Sequence, residues 1–217
     1  MRFGPESLAV LPVCVMSLVA HECAHGGMAL ALGDPTARDQ GRLTVNPLPH
    51  LDLWGSLVVP LALIVTASPI LFAWARPMPV DHARLRHPRR GALQVAMAGP
   101  LANLLLAIAF AAAARVMPQA AAGGLMRALM VAGVAWNCAL ALFNLFPIPP
   151  LDGAWVLKHF LKLRHILALQ HFRRIALAMM VAIVALPPSR WIFEASLHGA
   201  IGTCFRLFGL SPDGMRH

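Results

Sequence analysis

Leu8-Ala9-Val10-Leu11-Pro12-Val13-Cys14-Val15-Met16-Ser17-Leu18-Val19-Ala20-His21-Glu22-Cys23-Ala24-His25-Gly26-Gly27-Met28-Ala29-Leu30-Ala31-Leu32 is an apolar run interrupted by three ionisable residues. As a helix it would be ~37 Å long, enough to cross a hydrocarbon core of ~30 Å. Gly33-Asp34-Pro35-Thr36 then stops it with turn residues. Arg2 ahead of the apolar stretch resembles the start of a signal peptide. Cleavage near Ala20 would cut just before His21, so the run is read as a retained membrane helix.

The rest of the 217 residues fit that setting: 59% are hydrophobic, 12% are charged, and mean hydropathy is +0.68. A water-soluble globule of this size needs a far more charged surface. The net charge of +9 sits in short runs between apolar stretches. It therefore reads as the cytoplasmic bias of a membrane protein and not as a nucleic-acid surface. Cys14, Cys23, Cys138 and Cys204 show no paired spacing, which argues against a disulfide frame or a thiolate metal site.

Further along, Gly41 to Asn46 alternates polar and apolar residues and predicts a short strand. Trp54 to Trp74 is apolar but carries Pro60 and Pro69, which suits a kinked or re-entrant segment. Ala92 to Val116 and Leu125 to Phe146 are expected to span, joined by the loop Met117 to Gly124. A further helix is expected near Ile175, interrupted at Pro187-Pro188. The expected fold is an all-α polytopic membrane protein with about four to six embedded helices and a short strand or re-entrant element after the first. It forms a single domain over 1–217, with a core at about 8–160 and a helical C-terminal region at about 161–217.

Arg76 to Arg90 holds five arginines, and Lys158 to Arg174 holds five lysines and arginines. Both regions are expected on the cytoplasmic side, with the small loop 117–124 outside. If Trp54 to Trp74 re-enters without crossing, the first helix runs inward and carries His21 and His25 toward Asp152.

His21 and His25 lie four residues apart, so on a helix both imidazoles leave one face and can chelate one ion. Glu22 follows about 100° round, where a carboxylate can act as general base on a metal-activated water. Ionisable residues in the middle of a membrane helix are costly unless they bind something or face a wet cavity. A polar cluster bonding a neighbouring helix is the structural alternative. A catalytic zinc needs a third protein ligand. Asp152, in Asn144-Leu145-Phe146-Pro147-Ile148-Pro149-Pro150-Leu151-Asp152-Gly153, is one candidate; spacing alone equally allows it to N-cap a helix starting at Gly153. His50 and Asp52 form a weaker alternative in a surface turn. The remaining histidines keep company with Lys and Arg and read as interfacial.

The motif in a membrane helix, Ala98-Gly99-Pro100-Leu101-Ala102-Asn103 in a later one, and the segment from Asn144 to Asp152-Gly153 resemble the site-2 protease family of intramembrane metalloproteases. Gly33-Asp34-Pro35, Asn46-Pro47, His50-Leu51-Asp52 and Trp74-Ala75-Arg76-Pro77 look like its compact bacterial subgroup. The resemblance covers roughly residues 17 to 160. It implies that His21, His25 and Asp152 bind one zinc per chain, that Glu22 is the catalytic base, and that Asn144 holds substrate or supports the oxyanion. It gives Asn103 and Gly99 a part in close helix packing near the site. The implied partners are the lipid bilayer and a transmembrane protein substrate, and the implied location is a bacterial inner membrane. Members often carry a PDZ or CBS domain, for which this sequence has no room.

An unwound substrate segment is expected to pair with the edge of the strand Arg42 to Val45. The rival reading is a catalytically silent zinc-binding scaffold, which has no need of Glu22. A metal transporter would call for ligands along a path, whereas the sequence offers one cluster.

Overall fold

The computed structural model describes residues 5–58, 75–117, 124–162 and 187–209, together with residues 62, 65, 165 and 166. Six α-helices occur among them: α1 (Pro5–Ala31), α2 (Thr36–Asp39), α3 (Pro88–Val116), α4 (Gly124–Asn144), α5 (Asp152–Phe160) and α6 (Pro187–Leu207). A 3-10 turn at Leu48–His50 and a π-helical turn at Leu53–Val58 lie between α2 and α3. Among the described residues, three helices are long and apolar enough to cross a membrane: Val10–Ala31 within α1, then Pro88–Val116 and Gly124–Asn144. They pack on one another, with α5 against α3 and α6 against α4.

What each helix buries explains why they associate. Along α3 the buried positions Gly91, Val95, Gly99, Asn103, Ala107 and Ala111 recur every fourth residue. The opposite side exposes Leu101, Leu105 and Ile108. α4 repeats the pattern, burying Gly133, Asn137 and Ala141. Small and polar residues inside with bulky apolar residues outside is the arrangement expected in lipid, where helices gain from close packing and internal hydrogen bonds. Gly133 shows how close the packing is. A Cβ there would meet the ring of Phe110 at 2.5 Å, so the aromatic face lies directly on the α4 backbone. Cys138 and Cys204 are buried free thiols in the cluster that joins α4 to α6, with sulfurs 3.9 Å apart.

The helix boundaries differ modestly from expectation. α3 begins at Pro88, four residues before Ala92, because a proline at the first helical position sacrifices no hydrogen bond. α4 stops at Asn144, two residues short of Phe146, as the chain approaches Pro147. Pro187-Pro188 stands in the first turn of α6, where a missing N–H costs no intrahelical bond. The expected helix start near Ile175 and most of the 117–124 loop lie outside the described residues.

The expected strand is corrected. Among the described residues there is no strand, and 41–46 runs through turns and bends. Gly41 adopts a φ of +64°, and Thr44 N–H bonds back to Arg42 C=O at 3.1 Å. The Thr44 carbonyl, which a strand edge would offer to a partner, instead accepts from His50 Nε2 at 2.8 Å and from the Cys23 thiol at 3.2 Å. Alternating polarity predicted a strand, but a strand needs a ladder partner, and local turns and side chains have taken these groups.

Polar bonds tie the stretch 75–87 to the end of α1. Gly33 leaves the helix with φ +106°, and Leu32 C=O accepts the Arg86 N–H at 3.0 Å. The Arg42 guanidinium donates to the carbonyls of Arg76 at 3.0 Å and Pro77 at 3.3 Å. His50 C=O accepts the Arg76 N–H at 2.9 Å. That last bond sets His50 and Arg76 side by side. Most of Trp54 to Trp74, on which the expected kinked or re-entrant segment falls, is outside the described residues. At this end Arg89, near the start of α3, bonds to the carbonyls of His159 at 2.7 Å and Leu161 at 3.1 Å, tying in the described beginning of the second basic region.

Asp34 is the most enclosed part of this lattice, with no exposed surface. Its carboxylate accepts from Thr36 N–H at 3.0 Å, from the Thr36 hydroxyl, and from Asp81 N–H at 2.7 Å. Burial works against its charge, but the bonds from Thr36 and Asp81 outweigh it and hold the carboxyl below its ordinary range. A depressed carboxyl stabilises the fold above the unfolded value of about 3.9 and loses that contribution as pH falls through the folded value. Asp34→Asn should cost about 2 kcal/mol and flatten the loss of thermal stability between neutral and strongly acid pH, measured in detergent.

Candidate metal centre

α1 turns His21 and His25 toward α3, burying both side chains. Each ring is fixed through Nδ1: His21 bonds Asn103 Oδ1 at 2.6 Å and His25 bonds Val95 C=O at 2.7 Å. A carbonyl can only accept, so both rings carry their proton on Nδ1 and leave Nε2 as a bare lone pair. The two Nε2 atoms lie 3.0 Å apart, with ring planes at 87°.

Asp152 completes the cluster from the first position of α5. Its Oδ2 lies 3.2 Å from Nε2 of His21 and 3.2 Å from Nε2 of His25. It makes no side-chain cap, and Leu151 occupies the N-cap position, so the alternative of Asp152 as a capping residue is set aside. Gly153 is required for this placement. A Cβ there would run into the carbonyls of Leu145 and Phe146, which fold back over the start of α5. The Pro149-Pro150 bond in this turn is cis.

Two lone pairs and a carboxylate oxygen therefore converge in a buried space. With both imidazole protons committed elsewhere, Asp152 Oδ2 has no hydrogen-bond donor of its own. Three acceptors this close repel one another unless a cation lies among them. Their separations are near the ~3.3 Å between ligand atoms of a tetrahedral site with ~2.0–2.1 Å bonds. Among the described residues, these three side chains are the group able to hold a metal ion. Two imidazoles and a carboxylate suit zinc.

Gly99 makes room for this arrangement. A Cβ at that position would lie 2.5 Å from His25 Nε2 and 2.6 Å from His21 Cε1. The packing glycine expected from sequence thus faces the two imidazoles themselves, across the α1–α3 contact.

Glu22 is half-buried, and its Oε2 accepts the Met78 N–H at 2.7 Å. Met78 lies between Pro77 and Pro79, so it carries the one N–H of that tripeptide. Arg42, which grips the carbonyls of Arg76 and Pro77, holds the strap that presents it. Asn144 donates to Leu140 C=O in its own helix at 2.9 Å and does not join the three converging side chains. His50 and Asp52 do not join them either. His50 is buried on Thr44 C=O, and Asp52 accepts the Gly55 N–H at 2.7 Å, opening the π-helical turn. Of the histidines read as interfacial, His82 lies against Trp155 with ring centroids 4.2 Å apart.

Three contributors had no place in the sequence reading. Met78 gave no side-chain signal. Asn137 and Ser17 did, since both are polar residues in apolar helices. Asn137 Oδ1 accepts from Asn103 Nδ2 at 2.9 Å, while Asn137 Nδ2 donates to Ser17 Oγ at 2.9 Å and to Gly133 C=O at 2.8 Å.

Comparison with known proteins agrees with this chemistry. The model of peptidase family M50 matches residues 114–187, which include Asn144 and Asp152. "Putative zinc metalloprotease YwhC" of Bacillus subtilis is 39% identical over 163 residues, covering 70% of each chain. "Putative zinc metalloprotease Rip2" of Mycolicibacterium smegmatis is 30% identical over 188 residues, covering 86% of this chain and 71% of the relative. The protein of the same name from Mycobacterium tuberculosis is 30% identical over 202 residues, covering 91% and 73%. No solved structure matches the chain. With its apolar helices and these relatives, the chain is a multi-pass membrane protein belonging to peptidase family M50, the site-2 protease family.

Proposed function

We propose that the chain is an intramembrane zinc metalloendopeptidase that cleaves peptide bonds in or near transmembrane segments of membrane proteins. The observation that carries this reading is the convergence of His21 Nε2, His25 Nε2 and Asp152 Oδ2, all within 3.2 Å, on the helix turn that also carries Glu22. His21, His25 and Asp152 would hold one zinc per chain. When bound there, zinc supplies Lewis-acid polarisation and lowers the pKa of a coordinated water to about 7.

Glu22 is the base. Its carboxylate takes the proton of the attacking water and returns it to the leaving amine, at the oxygen that Met78 N–H does not occupy. The Met78 bond holds the carboxylate in one orientation. Asn144 keeps one N–H on Leu140 C=O. We assign its other N–H to the substrate, as a donor to the carbonyl under attack.

A transmembrane helix hides its carbonyls in its own hydrogen bonds, so a substrate must unwind locally before cleavage. The basic segments around Arg84 to Arg90 and Lys158 to Lys162 face the end toward which α1 runs. The positive-inside bias supports a cytoplasmic location for that end and for water entry to the site, and we read the membrane as a bacterial inner membrane. A silent zinc-binding scaffold is the alternative, and the presence of Glu22 beside the ligands disfavours it.

Two measurements test the proposal. With a co-reconstituted single-span substrate, Glu22→Gln should keep about one zinc per chain and lose cleavage by about 10²–10⁴-fold, while Asp152→Ala should lose both. Unchanged cleavage by Glu22→Gln would overturn the enzyme reading. Gly99→Ala should retain helix content by circular dichroism yet lose zinc, because its methyl group intrudes on both imidazoles.

A further inference from the structure

We propose that Asn137 and Ser17 are positioning residues for His21. Acting through Asn103, they form a relay whose hydrogen-bond polarity decides which imidazole nitrogen is presented to the metal. The proposal rests on the zinc reading above and adds to it Asn137, on α4, and Ser17, one turn before His21 on α1.

The relay can be followed donor by donor. Both amide protons of Asn137 are committed, one to Gly133 C=O at 2.8 Å and one to Ser17 Oγ at 2.9 Å. Its Oδ1 is thereby turned to Asn103, whose Nδ2 donates to it at 2.9 Å. The same Nδ2 donates to Ser17 C=O at 3.3 Å, which commits both amide protons of Asn103. Asn103 Oδ1 must then face His21 Nδ1 as an acceptor, at 2.6 Å. His21 can satisfy it only with the proton on Nδ1, which leaves Nε2 bare for a metal.

Reversing any amide breaks the chain. An inverted Asn137 would set its oxygen against Gly133 C=O and its N–H groups against those of Asn103. An inverted Asn103 would aim N–H groups at His21 and favour the proton on Nε2, the wrong tautomer for this site. Water cannot repair such a mismatch here. Asn103 and Asn137 have no exposed surface, Ser17 is 2% exposed and His21 3%. His25 is fixed differently, by the backbone carbonyl of Val95, which has no orientation to choose. The relay therefore acts on one ligand only, and it links α1, α3 and α4 around that ligand.

The test is zinc affinity of the full chain in detergent, by competition with a chelator, alongside thermal stability of the metal-free protein. Asn137→Leu keeps volume and removes the relay, and should weaken zinc binding about 10–100-fold. Asn137→Asp, which as the neutral acid keeps an O–H for Gly133 C=O and an acceptor for Asn103, should stay within a few fold of wild type whatever its effect on stability. Ser17→Ala, a smaller change should Asn137→Leu not fold, should weaken zinc by less than Asn137→Leu. His21→Ala is the reference for complete loss of the ligand. Wild-type affinity in Asn137→Leu, or equal weakening by the leucine and aspartate variants, would overturn the relay. A wild-type chain that binds no zinc would overturn the metal reading together with it. Zinc bound and polarity-dependent but without cleavage of any substrate would leave the relay standing and count against the protease reading alone.

Discussion

Every polar atom buried between apolar helices must find a partner, and the centre of this protein is built on that constraint. In lipid or a dry helix interface there is no water to take up an unmade bond. Asn103 and Val95 C=O take the Nδ1 protons of His21 and His25. That leaves three acceptor atoms facing one another, Nε2 of each histidine and Oδ2 of Asp152. The same accounting that satisfies one side of each ring creates a charge requirement on the other. A cation among the three meets that requirement, and the rest of the bundle is arranged to keep them together.

Close approach is the second requirement, and glycine meets it. Gly99 lets α3 run past both imidazoles, Gly133 lets α4 lie on Phe110, and Gly153 lets α5 start beneath the turn that follows α4. Each stands where a side chain would displace an element that positions the site. At the end of α1, Asp34, Arg42 and His50 bind the 75–87 segment, which in turn presents Met78 N–H to Glu22. The three converging side chains and the Glu22 carboxylate are therefore oriented from two different directions, the former by buried helix faces and the latter by a proline-flanked strap.

Much of this was legible in the residue pattern. The apolar run 8–32 marked a membrane helix, the four-residue spacing put His21 and His25 on one face, and the break around Pro147 to Gly153 made Asp152 available to meet them. Spacing could not decide between ligand and helix cap for Asp152, because both readings need only a turn before it. The decision lies in where α5 docks on α3, a long-range property. The strand at 41–46 was misread because alternation of polarity does not reveal whether a partner exists, and here Cys23 and His50 claim the Thr44 carbonyl. Met78 was invisible, since a backbone N–H carries no sequence signature beyond the flanking prolines. Asn137 was visible as a polar residue in an apolar helix, but its direction of bonding needed the amide network around it.

X-ray absorption at the zinc edge of the purified chain tests the central claim most directly, because it reads the ligands without relying on a substrate. Two imidazoles and light oxygen donors at about 2.0–2.1 Å, with no sulfur, are the result expected for His21, His25 and Asp152. A sulfur shell at about 2.3 Å would place Cys23 or another thiol on the metal and contradict the account, as would a spectrum with a single imidazole.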